Sequence, residues 1–217
     1  MRPFALVSLV IVLAACGAPE TSDAQDRPIE APAWVAVDNV ASDDVLNIRA
    51  DADAGSEIVG TLAPGAGPIE IAATRQIGEA RWGLVAIQEG SGWINLAYAS
   101  PAEVTMIGDS PIPAGTICAG TEPFWSLELT GEAGIYSDFE IERETYEISE
   151  SESARSRPWP WMFGLRGSGL ALLTPELCSD GMSDLPYAWS ILLIRHDQTG
   201  HALYEGCCRL RSPDTDE

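Results

Sequence analysis

Over residues 34 to 100, short runs of the chain place apolar side chains at every second position, with turn residues between the runs. In Val45-Leu46-Asn47-Ile48-Arg49, Leu46 and Ile48 fall on one face and Asn47 and Arg49 on the other. Ile69 and Ile71 likewise oppose Glu70, which points outward from its strand. A period of two is that of a strand with one buried face. The runs IVGTL (58 to 62), RWGLVAI (81 to 87) and GWINLAY (92 to 98) extend the series, separated by turn-rich DADAGSE and APGAGP segments. Strands this short, with turns this frequent, predict a small barrel or sandwich.

Residues 118 to 211 repeat the pattern in longer strides. Trp125, Leu127 and Leu129 share a face against Glu128. The run AWSILLIRH (188 to 196) is almost continuously apolar, which predicts a strand buried on both sides. HALYEGCCRL (201 to 210) reads as the last strand, and the polar EISESESARSRPW (147 to 159) as an exposed hairpin end. No segment of ordinary helix length spaces apolar residues at three and four. The expected fold class is all-β: one small barrel followed by a second small β-barrel or sandwich. Residues 101 to 117 hold three prolines and two glycines and are expected to be a linker with a lead-in strand. Residues 212 to 217 read as a disordered tail.

The N-terminus changes the picture from fold to address. Arg2 precedes an apolar run from Phe4 to Leu13, too short to span a bilayer as a mature helix. This is the shape of a cleaved secretory signal over residues 1 to 15. Its end, Leu13-Ala14-Ala15-Cys16, resembles the lipobox of bacterial lipoproteins, which implies a lipid on Cys16. The absence of aspartate at Gly17 implies, on the same resemblance, the periplasmic side of the outer membrane. Residues 16 to 33 carry Pro, Ala, Asp, Glu and Ser with little that is large and apolar, as a flexible tether would.

Charge narrows the partners. The formal net charge of the 217 residues is −21, and all 12 basic residues are arginine. Such a surface repels phosphate backbones, which argues against nucleic acid. It also repels anionic lipid, so membrane contact is expected through the lipid alone. A solubilising role for the charge is the plainer reading; attraction of a basic partner is the sharper one.

Of the five cysteines, Cys118, Cys178, Cys207 and Cys208 remain after Cys16. An even number in an oxidising compartment is expected to form disulfides. Neighbouring cysteines rarely bond to one another. Adjacent strand positions face opposite sides, so one of Cys207 and Cys208 bridges inward and the other outward. Two connectivities remain open on this reasoning.

Two resemblances add detail. The series LNIRADADAGSEIVGTLAPGAGPIEI, RWGLVAI and GSGWINLAYAS resembles a bacterial SH3 domain across residues 34 to 100. That resemblance implies a small β-barrel binding cell-wall peptide or glycan, or an envelope protein. It also implies a candidate ligand groove at Trp82, Trp93 and Tyr98, although Trp93 is the expected core residue among them. The family's Ser-Gly-Pro loop is here Ala50-Asp51-Ala52-Asp53.

The segments CAGTEPFWSLEL, CSDGMSDLPYAWSI and YEGCC resemble a family of small bacterial envelope proteins of no assigned activity. Those proteins are analogous to lipoprotein lysozyme inhibitors and META-type domains. The resemblance covers most of residues 118 to 208 and marks Glu122, Trp125, Asp180, Met182 and Ser183 as a candidate site. It also suggests that Cys178 pairs with Cys207, leaving Cys118 to pair with Cys208.

Catalytic and metal chemistry find little footing. There is no Cys-x-x-Cys, no Gly-x-Ser-x-Gly elbow and no phosphate loop. The late cysteines lack the paired spacing of a zinc site. His196 and His201 flank a hairpin turn and are expected to be solvated, with a weak cross-strand metal pair as the alternative. Glu122, Asp180 and Asp184 are the carboxylates that a glycosidase would need; the plainer role for Asp180 is to satisfy backbone amides in its turn. The sequence therefore points to an envelope binding protein without catalysis or cofactor. An inhibitor of a basic wall-degrading enzyme is the alternative, and an envelope hydrolase is a second.

Overall fold

A computed structural model of the chain describes residues 28–211, apart from 89, 198 and 199. The signal segment, Cys16, most of the tether and the tail at 212 to 217 lie outside the described residues.

The fold is all-β, as the period of two predicts, and it comes in two modules. The first holds β1 (Ala33–Val37), β2 (Leu46–Arg49), β3 (Ile58–Leu62), β4 (Ile69–Ile71), β5 (Ala73–Ile77), β6 (Ala80–Ile87), β7 (Gly90–Asn95) and β8 (Ala99–Pro101). They make two sheets, ordered β4-β1-β8 and β3-β2-β7-β6-β5. Val35, Ile48, Ile71, Val85 and Ile94 meet between them as the core. Gly83 permits that closeness, since a Cβ there would lie 2.9 Å from the methyls of Ile71 and Leu96.

This module starts earlier than position 34. Ile29 and Ala31 pack on its core, and Arg81 pairs with Glu30 at 2.5 Å. The tether expected through residue 33 has therefore joined the first module by residue 29. Ile29 is the one large apolar side chain available there to do it.

The second module is an eight-stranded closed barrel. Its strands are β9 (Thr116–Thr121), β10 (Phe124–Leu129), β11 (Ala133–Asp138), β12 (Glu144–Ser153), β13 (Trp161–Leu165), β14 (Gly169–Cys178), β15 (Tyr187–Asp197) and β16 (Gly200–Leu210). They run antiparallel in chain order, and β9 pairs with both β10 and β16 to close the ring. Leu127, Leu129, Phe163, Leu173 and Leu193 fill the inside, all fully buried. Cys118 bonds Cys208 directly across β9 and β16, on the inner face. Cys178 bonds Cys207 on the outer face. Both the opposed facing of the vicinal pair and the connectivity agree with the sequence reading.

Two expectations are corrected. β15 is not buried on both sides. Its inward residues Trp189, Ile191 and Leu193 are buried, but Leu192 is 41% exposed. A closed barrel packs one face only, so the outward leucine meets solvent. Residues 101 to 117 are more than a linker: Ile107 and Ile112 are buried in the second module's core. The Met106–Pro113 bridge and the Ile107 N–H to Ile112 carbonyl bond (2.9 Å) fold the segment into a plug. The barrel's first strand accordingly begins at Thr116, two residues before the expected boundary.

The modules meet through tryptophan and one carboxylate. Trp34 of β1 stacks on Trp189 of β15 with ring centroids 6.4 Å apart, and Trp159 meets Trp189 edge-on at 5.2 Å. Glu70 of β4 points away from its own core, as its strand position predicts, and into the neighbouring barrel. Its Oε1 accepts from Trp189 Nε1 (3.2 Å) and from the Leu210 N–H (3.1 Å). Burial pushes its pKa up to about 7, against the opposing pull of those two bonds and of Arg209.

Candidate functional site

The first module's aromatic candidates do not form a groove. Trp82 and Trp93 are 4% and 8% exposed and sit with Leu84 and Ala52 in a small second core. β6 and β7 pair Leu84 with Trp93 and Trp82 with Asn95, which places both indoles on one face of the sheet. Arg75 lies over the Trp93 ring at 4.4 Å and covers it. Tyr98 is half-exposed at the end of a one-turn 3-10 helix. Core packing thus absorbs Trp82 as well as Trp93, and Tyr98 stands apart from them.

The cavity in this module lies elsewhere. A groove of ≈ 890 Å³ runs between β3 and β4, with Val59 and Leu62 on one bank, Ile69 on the other, and Ile48, Val85 and Ile87 beneath. β3 and β4 are each the outermost strand of their sheets. Ile58 and Val59 are 50% and 38% exposed on that edge. A register shift between Ile48 and Arg49 leaves Val59 without a partner on β2, a bulge that turns it outward. An apolar, unpaired edge beside a groove is a liability that proteins ordinarily blunt. The sequence signal was present in the consecutive Ile58 and Val59, which break the alternation, but alternation alone assigns such a pair to the core.

One residue of the groove comes from the other module. Asp184, in the loop between β14 and β15, lines it beside Gly90. A Cβ on Gly90 of β7 would lie 3.9 Å from the Asp184 Cβ.

The loop that carries Asp184 is held by Asp180. Asp180 Oδ1 accepts from the Met182 and Ser183 N–H groups, both at 2.9 Å. Its Oδ2 accepts from Ser183 Oγ (2.8 Å) and Tyr187 OH (2.9 Å). Burial would raise this carboxyl, but those donors outweigh it and draw its pKa down to about 2. Asp180 thus does the turn-satisfying work, and Ser183 is its partner. Met182 is 68% exposed beside them.

Trp125 belongs to the barrel interior, stacked on Tyr136 at 6.4 Å. It fills the space over Gly120 and Gly206, where a Cβ would collide with its ring. Glu122 is exposed in the turn between β9 and β10. Glu122 and Asp180 do line one shallow groove of ≈ 720 Å³, together with Glu176, Glu205, Leu172 and Leu192. The family-like segments therefore converge in space, yet Asp180 is committed to its own loop and Trp125 to the core.

His196 and His201 face one another across β15 and β16, their rings edge-on at 4.4 Å, both exposed. Among the described residues, no group of three or more His, Cys, Asp or Glu is placed to hold a metal ion.

No family model, curated protein or solved structure matches the chain.

Proposed function

We propose that this chain is a lipid-anchored envelope protein that binds rather than catalyses, and that its first module holds an extended wall peptide in the groove between β3 and β4. The observation that carries this reading is the pair of outermost strands flanking an apolar floor. An extended peptide completes such an edge through main-chain hydrogen bonds, and alternate side chains drop into the groove. The lipobox-like end at Cys16 supports the anchor, and the two disulfides support an oxidising compartment. The commitment of Asp180 to its turn weakens the glycosidase alternative, which needs a carboxyl free to exchange a proton.

Co-sedimentation of the purified full chain with peptidoglycan tests the reading. Binding is expected to persist at high salt and to fall at least tenfold in Val59→Glu, which puts a charge on the apolar bank. Absence of binding by the unaltered chain removes the reading.

The second groove favours the inhibitor alternative. Leu172 and Leu192 floor it and Glu122, Glu176 and Glu205 surround them, which suits a basic protein surface with an apolar centre. That encounter would slow steeply with salt, whereas wall binding through an apolar groove would not.

A further inference from the structure

The first module's groove is chemically incomplete without the second. Its described lining is aliphatic or neutral on every side but one: Asp184 is the one ionisable group in it. No described residue forms an ion pair or hydrogen bond with the Asp184 carboxylate. Asp184 is exposed to solvent at this apolar trough, where its carboxylate is open to a cationic group of a ligand.

The placement of Asp184 is built. Asp180 ties down three neighbours in the loop, at positions 182, 183 and 187. The Thr121 hydroxyl donates to the Asp180 carbonyl at 3.3 Å. The Cys178–Cys207 bond anchors the loop two residues upstream. At the interface, Trp34 on Trp189 and Glu70 on Leu210 fix one module against the other. Asp184 therefore reaches the groove on a supported backbone, without the ordering cost of a free loop.

Resting on the peptide-binding reading above, we propose that this groove selects an extended peptide bearing a primary amine, which Asp184 receives beside Gly90. A neutral glycan offers Asp184 hydroxyl donors but no positive charge, and an anionic ligand would be repelled by it and by a chain of net charge −21. Wall stem peptides carry such an amine on their diamino acid wherever it is not cross-linked. The second module is then a specificity element for the first: among the described residues it supplies the one charge that lines the groove.

The test is binding of the purified full chain to two preparations of the same peptidoglycan, one native and one with its amines acetylated, at low and high salt. The unaltered chain should bind the acetylated wall about fivefold more weakly, the size of one partly exposed ion pair. Asp184→Asn should bind both preparations alike, at that weaker level. The difference should shrink at high salt. Equal binding of both preparations by the unaltered chain overturns the amine proposal; if Val59→Glu still abolishes binding in that case, the groove reading survives. An amine preference that persists in Asp184→Asn also overturns it. Absence of binding to either preparation overturns both proposals together.

Discussion

The two modules handle their backbone edges in opposite ways. The second closes on itself: β9 pairs with β16, and every strand of the ring has two neighbours. Two disulfides then cross it, one on each face. The first module has no cysteine and ends in the open edges of β3 and β4. A closed ring spends its backbone donors and acceptors on itself, whereas an open edge leaves a row of them for another chain. The difference places the staples in one half and, on the proposed reading, the binding in the other. The Trp34–Trp189 stack and Glu70 join the halves, so that a loop of the stapled one can serve the groove of the other.

The strongest way to break this contrast is to remove the staples. The Cys118–Cys208 bond spans 90 residues, and loop-closure entropy assigns it about 4.6 kcal/mol. The Cys178–Cys207 bond spans 29, which gives about 3.6 kcal/mol by the same relation. Denaturant unfolding of the paired alanine variants should therefore rank Cys118→Ala/Cys208→Ala below Cys178→Ala/Cys207→Ala. Both should fall below the unaltered chain, and the loss should sit in the second module. Equal midpoints for all three proteins would remove the claim that the ring depends on its staples.

A somewhat smaller effect is expected from the plug. Ile112 is fully buried in the second module although it lies between proline-flanked turns. Ile112→Ala should cost about 3 kcal/mol, the value of a core isoleucine. A true linker residue would cost a few tenths of a kcal/mol at most. Urea unfolding decides between them.

That residue also shows where sequence reasoning runs out. Alternation and apolar runs located β2, β3, β4, β6, β7, β10, β15 and β16, because a half-buried strand writes its face into local order, but they did not pick out the short β1, β5 and β8 or the β11 to β14 part of the ring. Cys207 and Cys208 likewise announced opposite facings by being adjacent. Ile107 and Ile112 gave no such signal: five positions apart, among Pro and Gly, they match neither period and are buried only because a distant barrel receives them. Glu70 read correctly as outward, but nothing local says that outward is another module's interior. For the site, Asp180 was read as holding its turn, Ser183 was singled out without that role, and the aromatic trio at Trp82, Trp93 and Tyr98 was not a groove. An aromatic residue carries the same letter whether it lines a cleft or fills a core. Asp184 was singled out only as a possible acid, since its meaning depends on Gly90 and β3, far earlier in the chain.

The interface and the loop support should separate along the pH axis, and this is the smallest of the expected effects. Glu70 is held up at about 7 against an ordinary 4.5. Its contribution is therefore complete below pH 4.5 and is lost as the pH rises through 7, where folding must keep a desolvated carboxylate. The loss is on the order of 2 kcal/mol. Asp180 runs the other way. Drawn down to about 2 from an ordinary 3.8, it stabilises above about pH 4, and that contribution is lost as the pH falls toward 2, by about 1 kcal/mol. Stability should thus peak between the two windows, near pH 4 to 5. Glu70→Gln keeps a side-chain oxygen for Trp189 and Leu210, so it should flatten the alkaline limb while leaving the acid limb intact. Asp180→Asn should do the reverse. Unfolding measured across pH 2 to 9 in the three proteins checks both limbs. If Glu70→Gln leaves the alkaline limb unchanged, the carboxylate is not buried between the modules, and the support for Asp184 loses one of its two fixings.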